Sequence, residues 1–421
     1  MDMDVPLLQT HRDSAEALFR QREQWRQAEG IAAHSLQRLE QRLRLHLHVL
    51  AHIPPEADAP EPSNTAAAFV QLAPALEGVN GEHRAAAASR ALEWLGGEAP
   101  PLREAAFQAL ALYPVPEAVE ETRRAWEDTP GLRAALVEIW RIQGASVPRG
   151  LLNQGELHAH DVGLQAAVLR YSADWPEAGL SVFRPYYHTL TNDPFARIAE
   201  HALLAEALRG GLLRGDADAV LALRRAIEQQ AGPDETAPLL RLAALSGEPG
   251  FHPVLQQHAR SEPESGYRLL ALWGRREAVD DLLEGLESPR DNAPAAAAWR
   301  LLTGQRLPRR PRMQVVGEQE PEATTGESIA DIEAARQWWS AAREGWAPDE
   351  RRLLGRPLSA AAPLAWLADE AGEPAANALD LLGLQTGRPA GVAPETWILR
   401  RQECLASLDV PEPAAPQVAH A

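Results

Sequence analysis

Between Glu98 and Ala145 one helical face is written twice. Leu102, Ala105, Ala106, Ala109 and Leu110 sit at i, i+3, i+4, i+7 and i+8, and thirty residues later Leu132, Ala135, Leu136, Ile139 and Trp140 repeat that spacing. Pro100 is echoed by Pro130, and Arg103 by Arg133. An apolar stripe at this spacing is the buried face of a helix. Its return at a fixed interval marks a stacked array whose repeats cover one another. The pattern therefore predicts an all-α chain, an α-solenoid of helical repeats. The competing arrangement is an Ala-rich helical bundle without true repetition.

The face continues beyond this pair. Ala66, Phe69, Val70 and Ala73 open it after Asn64, and it recurs at Leu164, Ala167, Val168 and Tyr171. It weakens at Ala196, where Glu200 takes the i+4 place while Ala199, Leu203 and Leu204 keep the stripe. It shortens at Leu239, Leu242 and Ala243, then returns at Tyr267, Leu270 and Ala271 and at Ala295, Ala298, Trp299 and Leu302. Partner helices are predicted over Glu117 to Asp128, Asp216 to Gln230 and Arg275 to Glu287, with Pro or Gly at nearly every junction.

These readings divide the chain. Residues 1–53 form an N-terminal hairpin: one helix from Leu7 to Glu29 ending at Gly30, and a second from Ser35, its expected cap, to His52. Leu36, Leu39, Leu43, Leu47 and Leu50 make the stripe of the second helix. Residues 54–64 are a Pro-rich acidic linker, and 65–304 are the repeat array. Residues 305–328 run from basic to acidic, contain nothing that fills a core, and predict an exposed charged loop. Residues 329–408 form a C-terminal helical cap, with a helix from Asp331 ending at Trp338 and Trp339. In that cap Ala375, Ala378, Leu379 and Leu382 restore the repeat face. Residues 409–421 are a Pro/Ala-rich tail.

Composition narrows the chemistry. The chain has 421 residues, and all 41 of its basic residues are Arg. Without Lys there is no Schiff-base lysine, no pyridoxal phosphate attachment and no phosphate-loop lysine. A net charge of −18 argues against nucleic acid and anionic lipid as partners. Cys404 is the single cysteine, which rules out an internal disulfide and a thiolate metal cluster. The acidic start MDMDVPLLQTH lacks the pattern of a signal peptide, and no apolar run approaches the ~20 residues of a membrane span. A cytoplasmic protein is the expectation.

Several constellations test for catalysis or metal. His48 and His52 stand at i, i+4 on a helix beside His46, but Val49 follows His48, so the zinc-protease motif HExxH is absent. His158, His160 and Asp161 look ligand-like, yet they open a helix and read as its polar start. The pairs Glu120–Glu121 and Asp280–Asp281 read as solvated faces of partner helices. Cys404 lies among Arg400, Arg401 and Glu403 and reads as a half-buried structural thiol. No catalytic, cofactor or metal residue is assigned.

Tryptophan is more informative, at twelve residues. Trp94, Trp126, Trp140 and Trp299 occupy repeat-face positions and read as core. Trp338, Trp339, Trp346 and Trp366 cluster near Arg343, Arg351 and Arg352, and Trp and Arg are the types enriched at interface hot spots. The candidate partner-binding residues are therefore Trp338, Trp339, Arg343, Trp346, Arg351 and Arg352. Core packing of the C-terminal cap is the alternative use of the same side chains.

Short helix pairs of this period, with Pro or an acidic residue before the first helix and Arg one turn in, look like HEAT-like repeats of the phycobilisome-lyase type. Three stretches are more specific: HRDSAEALFRQREQW followed by LQRLEQRLRLHLHVLA, then AWRLLTGQRLP, then WW…DERRLLGRPL…ETWILRRQECL. Taken in order across nearly the whole chain, they resemble an uncharacterised group of bacterial HEAT-repeat proteins often linked to type VI secretion gene clusters. The loop from Arg309 to Glu327 departs from any matching pattern, and several repeats are irregular. The resemblance implies a helical-repeat fold and a role in assembling or loading a secretion effector, and it supplies no catalytic residue.

The functional expectation is a non-enzymatic protein-binding scaffold, adaptor or chaperone-like protein without cofactor. Its partner would be a secretion component, effector or toxin. One alternative is an immunity-type inhibitor whose negative charge mimics nucleic acid against a secreted toxin. Another is a metal-dependent enzyme using the histidine clusters.

Overall fold

Proline opens and glycine closes many of the helices, for a local reason. A Pro in the first turn gives up an N–H that has no helical partner there, and a Gly past the last turn takes the left-handed conformation that turns the chain back. The computed structural model describes residues 5–53, 62–146, 161–192, 200–229, 233–311 and 328–408. In it Pro100, Pro116, Pro263 and Pro374 stand in first turns, while Gly144, Gly274, Gly304 and Gly387 end helices at positive φ.

The chain is all-α, built of helical repeats, and it divides into two units. The first comprises Met1–Tyr186 with Leu367–Gly383 and Gly387–Asp409, and the second is built on Tyr187–Trp366. The first opens with α1 (Val5–Gln27) and α2 (Ala33–Ala51), which pack on each other and on α3 (Thr65–Glu77). There follow α4 (Gly81–Gly96), α5 (Pro100–Leu112), α6 (Pro116–Asp128), α7 (Arg133–Gln143) and α8 (Val162–Asp174). Helices α3, α5, α7 and α8 pack in succession as a row, and α4 and α6 lie against it.

The chain continues through α9 (Arg184–Asn192), α10 (His201–Leu212), α11 (Ala217–Glu228), α12 (Pro233–Ser246), α13 (His252–Ser261), α14 (Pro263–Trp273), α15 (Glu277–Glu287), α16 (Asn292–Thr303), α17 (Ile332–Ala342) and α18 (Ala361–Asp369). In the second unit α10, α12, α14 and α16 form the row, with α11, α13 and α15 as partners. Helices α19 (Pro374–Thr386) and α20 (Ile398–Ala406) complete the chain, and α20 packs on α2.

Row and partner helices differ because they are covered differently. Row helix α5 has neighbours on several sides and buries Leu102, Ala105, Ala106, Gln108 and all of Ala109–Leu112, as a helix apolar nearly all round must. Partner helix α6 buries only Ala118, Thr122, Ala125 and Trp126, a single face at i, i+4, i+7 and i+8. Trp140 of α7 closes that contact, donating its indole N–H to Thr122 Oγ1 at 3.1 Å. The predicted faces at Leu164, Leu239, Tyr267 and Ala295 are buried in the same way, whereas Ala196 falls outside the described residues. No helix among the described residues is long and apolar enough to cross a membrane.

Several expected boundaries move. The first helix ends at Gln27, and α2 begins at Ala33 with no side-chain cap, so Ser35 lies inside its first turn. The cause is long-range: β1 (Ile31–Ala32) pairs antiparallel with Glu370–Ala371, and that pairing fixes where the helix starts. The helix of the Trp pair runs past Trp339 to Ala342, capped by Asp331. The charged loop is not irregular throughout, because β2 (Arg309–Pro311) pairs with β3 (Ser328–Ala330), and Asn292 bonds both the N–H and C=O of Ala330. Residues 312–327, most of the linker (54–61) and the tail (409–421) lie outside the described residues. The segment 329–408, expected as one cap, is divided: its part from Leu367 onward belongs mainly to the first unit.

That division has a purpose visible in the hydrogen bonds. The last carbonyls of a helix have no partner inside it, and in each unit a later segment supplies donors to them. In the second unit a hairpin of β4 (Arg352–Leu353) and β5 (Arg356–Pro357) does this. Leu354 N–H meets Leu301 O at 2.7 Å, Gly355 N–H meets Leu302 O at 3.0 Å, and Arg352 N–H meets Gly274 O at 2.8 Å. In the first unit Trp397 Nε1 donates to Leu112 O at 3.1 Å, Thr396 Oγ1 to Ile142 O at 3.0 Å, and Arg400 to Gln143 O.

Candidate functional site

A concavity lies in the first unit, where four helices approach one another without filling the space between them. It is a groove of about 470 Å3, within the roughly 300–1,000 Å3 of ligand-binding clefts. Helix α3 supplies one wall through Ala67, Gln71 and Ala75, one residue per turn, and each is half-buried. Helix α4 supplies the facing wall through His83, Ala86, Ala87 and Arg90 at i, i+3, i+4 and i+7. The end of α2 closes the space with Leu50 and Ala51, and Arg12 and Glu16 of α1 reach its edge.

Small side chains on two adjacent helices leave this space, and their backbone geometry holds it open. Asn64 caps α3 by accepting the Ala67 N–H at 3.0 Å, and Asn80 caps α4 by accepting the Glu82 N–H at 2.9 Å. Between the caps lies Val79, 91% exposed at the lip. The edge is charged. Glu16 pairs with Arg20 at 3.4 Å, while Arg90 has no ion pair among the described residues. Apolar floor, open lip and charged edge suit non-covalent capture. The sequence signal was a stripe of Ala and polar residues beside each buried face, which reads locally as ordinary helix surface.

The Trp–Arg cluster is placed elsewhere, in the second unit, and is mostly interior. Trp339 and Trp346 are buried, Trp338 is half-buried and Arg343 is exposed. The rings form a chain: Trp299 to Trp338 at 5.5 Å, Trp338 to Trp339 at 6.5 Å, and Trp339 to Trp346 at 5.5 Å between centroids. Arg352 lies 4.9 Å over the Trp346 ring and bonds Glu350 at 3.2 Å. Arg351 donates to three backbone carbonyls, and burial with Arg275 nearby brings its pKa down to about 10. Trp339, Trp346, Arg351 and Arg352 are thus engaged in holding the fold. Trp and Arg serve hot spots and cores for the same reason, their large contact area, so composition could not separate the two uses.

Other candidates also find local partners. His46 turns to His11, with Nδ1 atoms 2.9 Å apart, and burial lowers its pKa, as do His11 and Arg42. His52 Nδ1 bonds the carbonyl of His48 at 2.8 Å, and His48 lies 3.7 Å from Glu77, whose pKa burial raises. No group of three or more His, Cys, Asp or Glu suited to a metal occurs among the described residues. Asp161 caps α8 through the Leu164 N–H at 3.0 Å, while His158 and His160 fall outside the described residues. Cys404 is half-buried. Asp281, expected on a solvated face, is instead buried. It bonds His252 at 2.6 Å and Gln256 at 2.5 Å, because its turn of α15 faces α13. The His252 ring lies parallel to Trp273 at 4.9 Å, and the Asp281 hydrogen bond raises its pKa.

A buried ion network ties the returning segment to the start of the chain. Arg22, fully buried, donates to Glu40 at 2.9 Å and to Glu395 O at 3.1 Å, and lies 4.5 Å over Trp397. The second oxygen of Glu40 accepts the Ile398 N–H at 2.8 Å. Arg141 bonds Glu138, Asp174 and Glu395 at 2.7, 2.9 and 3.1 Å. Each of these charges is paired with an opposite one, which is what buried charges require, although Glu395 Oε2 has no hydrogen-bond partner among the described residues.

No protein-family model, no curated protein and no solved structure matches this chain.

Proposed function

We propose that this chain is a non-enzymatic protein-binding scaffold, an adaptor or chaperone-like protein that works in the cytoplasm. The groove between α3 and α4 carries the reading. It offers an apolar floor, small side chains that let a ligand approach the helices, and a charged edge. Buried charged groups away from it serve the fold, as Arg351 does by bonding three carbonyls and Arg22 by bonding Glu40. Repeat helices commonly serve as binding surfaces rather than as reaction vessels. The resemblance of the HRDSAEALFRQREQW and DERRLLGRPL stretches to repeat proteins of type VI secretion clusters supports a secretion component or effector as the client.

The test is affinity purification of the tagged chain from its own cells beside the Ala86→Trp variant, which fills the groove from an exposed position. A partner recovered in stoichiometric amount with the natural chain and lost with the variant is the expected result. A partner retained equally by both, or none with either, would sink the proposal.

A further inference from the structure

The groove's edge runs against the charge of the chain that carries it, and this bears on what it takes. It rests on the scaffold reading above and adds the chemistry of the client. We infer that the groove receives an amphipathic peptide segment carrying a carboxylate beside its apolar side chains.

The chain is at −18, yet the groove's edge carries Arg90 and His83, and the one carboxylate in its lining is that of Glu16. Glu16 is itself matched by Arg20, and neither Arg90 nor the His83 ring has a side-chain partner among the described residues. A chain of net negative charge repels anionic segments in general, and a basic group at the groove's edge favours them there. Such like-charge exclusion and local complementarity choose a partner more than they tighten it.

Spacing and polarity favour a peptide over a fatty acyl chain, which shares the apolar body and the carboxylate. His83 and Arg90 are two turns apart on α4, about 10 Å along the helix, so the edge offers polar groups to a segment running along it rather than to one head group. Gln71 lies in the opposite wall, and its side-chain amide has no partner among the described residues. An amide presents both donor and acceptor, which a peptide group uses and a hydrocarbon does not. Ala75 and Ala86 keep both walls low enough for a backbone to approach.

The test pans a phage-displayed library of random peptides on the full-length chain and on the Ala86→Trp and Arg90→Glu variants, each first checked for native circular dichroism. The expected result is enrichment, by roughly tenfold or more, of peptides that place Asp or Glu beside two or more large apolar residues. They should be lost on Ala86→Trp, and Arg90→Glu should shift the selected sequences away from acidic residues. Enriched peptides without acidic residues, or an acidic preference unchanged by Arg90→Glu, would overturn the inference while leaving the scaffold reading intact. Equal enrichment on Ala86→Trp would place binding outside the groove and overturn it too. No enrichment on any protein, with fluorescent dodecanoic acid bound instead, would overturn both readings.

Discussion

Arg351 donates its Nε–H to the carbonyl of Trp273, seventy-eight residues earlier, at 3.0 Å. The same guanidinium bonds Leu272 O at 3.1 Å and Ala244 O at 3.2 Å, so one side chain finishes both α14 and α12. Bonds from a charged donor contribute about 1.5–3 kcal/mol, and buried acceptors left alone add a penalty. Arg351→Ala should therefore destabilise the second unit by about 2–4 kcal/mol, read from urea unfolding. Arg351→Lys should restore less than half, because an ammonium lacks the planar fork that reaches several carbonyls. A loss below about 0.5 kcal/mol would show that the contact is dispensable.

Glu40 serves Arg22 with one oxygen and the Ile398 amide with the other. Truncating one partner of a buried pair leaves a charge uncompensated and costs about 3–5 kcal/mol. Glu40→Ala should lose that much, and hydrogen exchange at the Ile398 amide should accelerate ahead of the amides of α5. Unchanged protection at Ile398 would mean that the carboxylate does not hold the returning segment.

His252 gives the chain a pH dependence of definite sign. Its pKa is raised by the Asp281 hydrogen bond, against burial, with Asp281 and Glu277 charges adding to the rise. The stabilisation is therefore complete below the unfolded value of about 6.5 and fades as pH climbs through the higher folded value. His252→Phe keeps a ring over Trp273 and removes the charge. The melting-temperature gap between natural chain and variant should be wide near pH 5.5 and narrow near pH 8.5. A gap that stays constant over that range would remove the ion pair from the account.

Gly304 ends α16 at φ +71°, and a Cβ there would stand 2.6 Å from Leu354 O. Gly304→Ala combines a strained backbone with displacement of the hairpin that finishes the helix, so a loss of about 1–3 kcal/mol is expected. Gly345, with nothing within 4 Å of a built Cβ, is the control and should change by less than about 0.5 kcal/mol. Equal melting temperatures for the two variants would refute the steric argument.

What could be read from sequence was whatever a single helix decides for itself. Leu102, Ala105, Ala106 and Ala109 show their face by spacing alone, and all four are buried. Asn64 and Asp331 could be read as helix starts because a cap acts within three residues. The partner of Ile31 is Ala371, and the partners of Arg351 lie on two other helices, so no local pattern records them. The groove was illegible for a related reason. Ala75, Gln71, His83 and Arg90 are ordinary surface residues of a helix, and only the approach of α3 to α4 makes a cavity of them.

Thr396 and Ile142 are 254 positions apart, yet they bond in the first unit. A ribosome adding about 5–20 residues per second needs about 13–50 s to make the intervening chain. The helix ends at Leu112 and Ile142 wait through that interval without their final donors, while the stretch that builds the second unit emerges in one piece. The half of the protein that is made first is thus the half that is finished last.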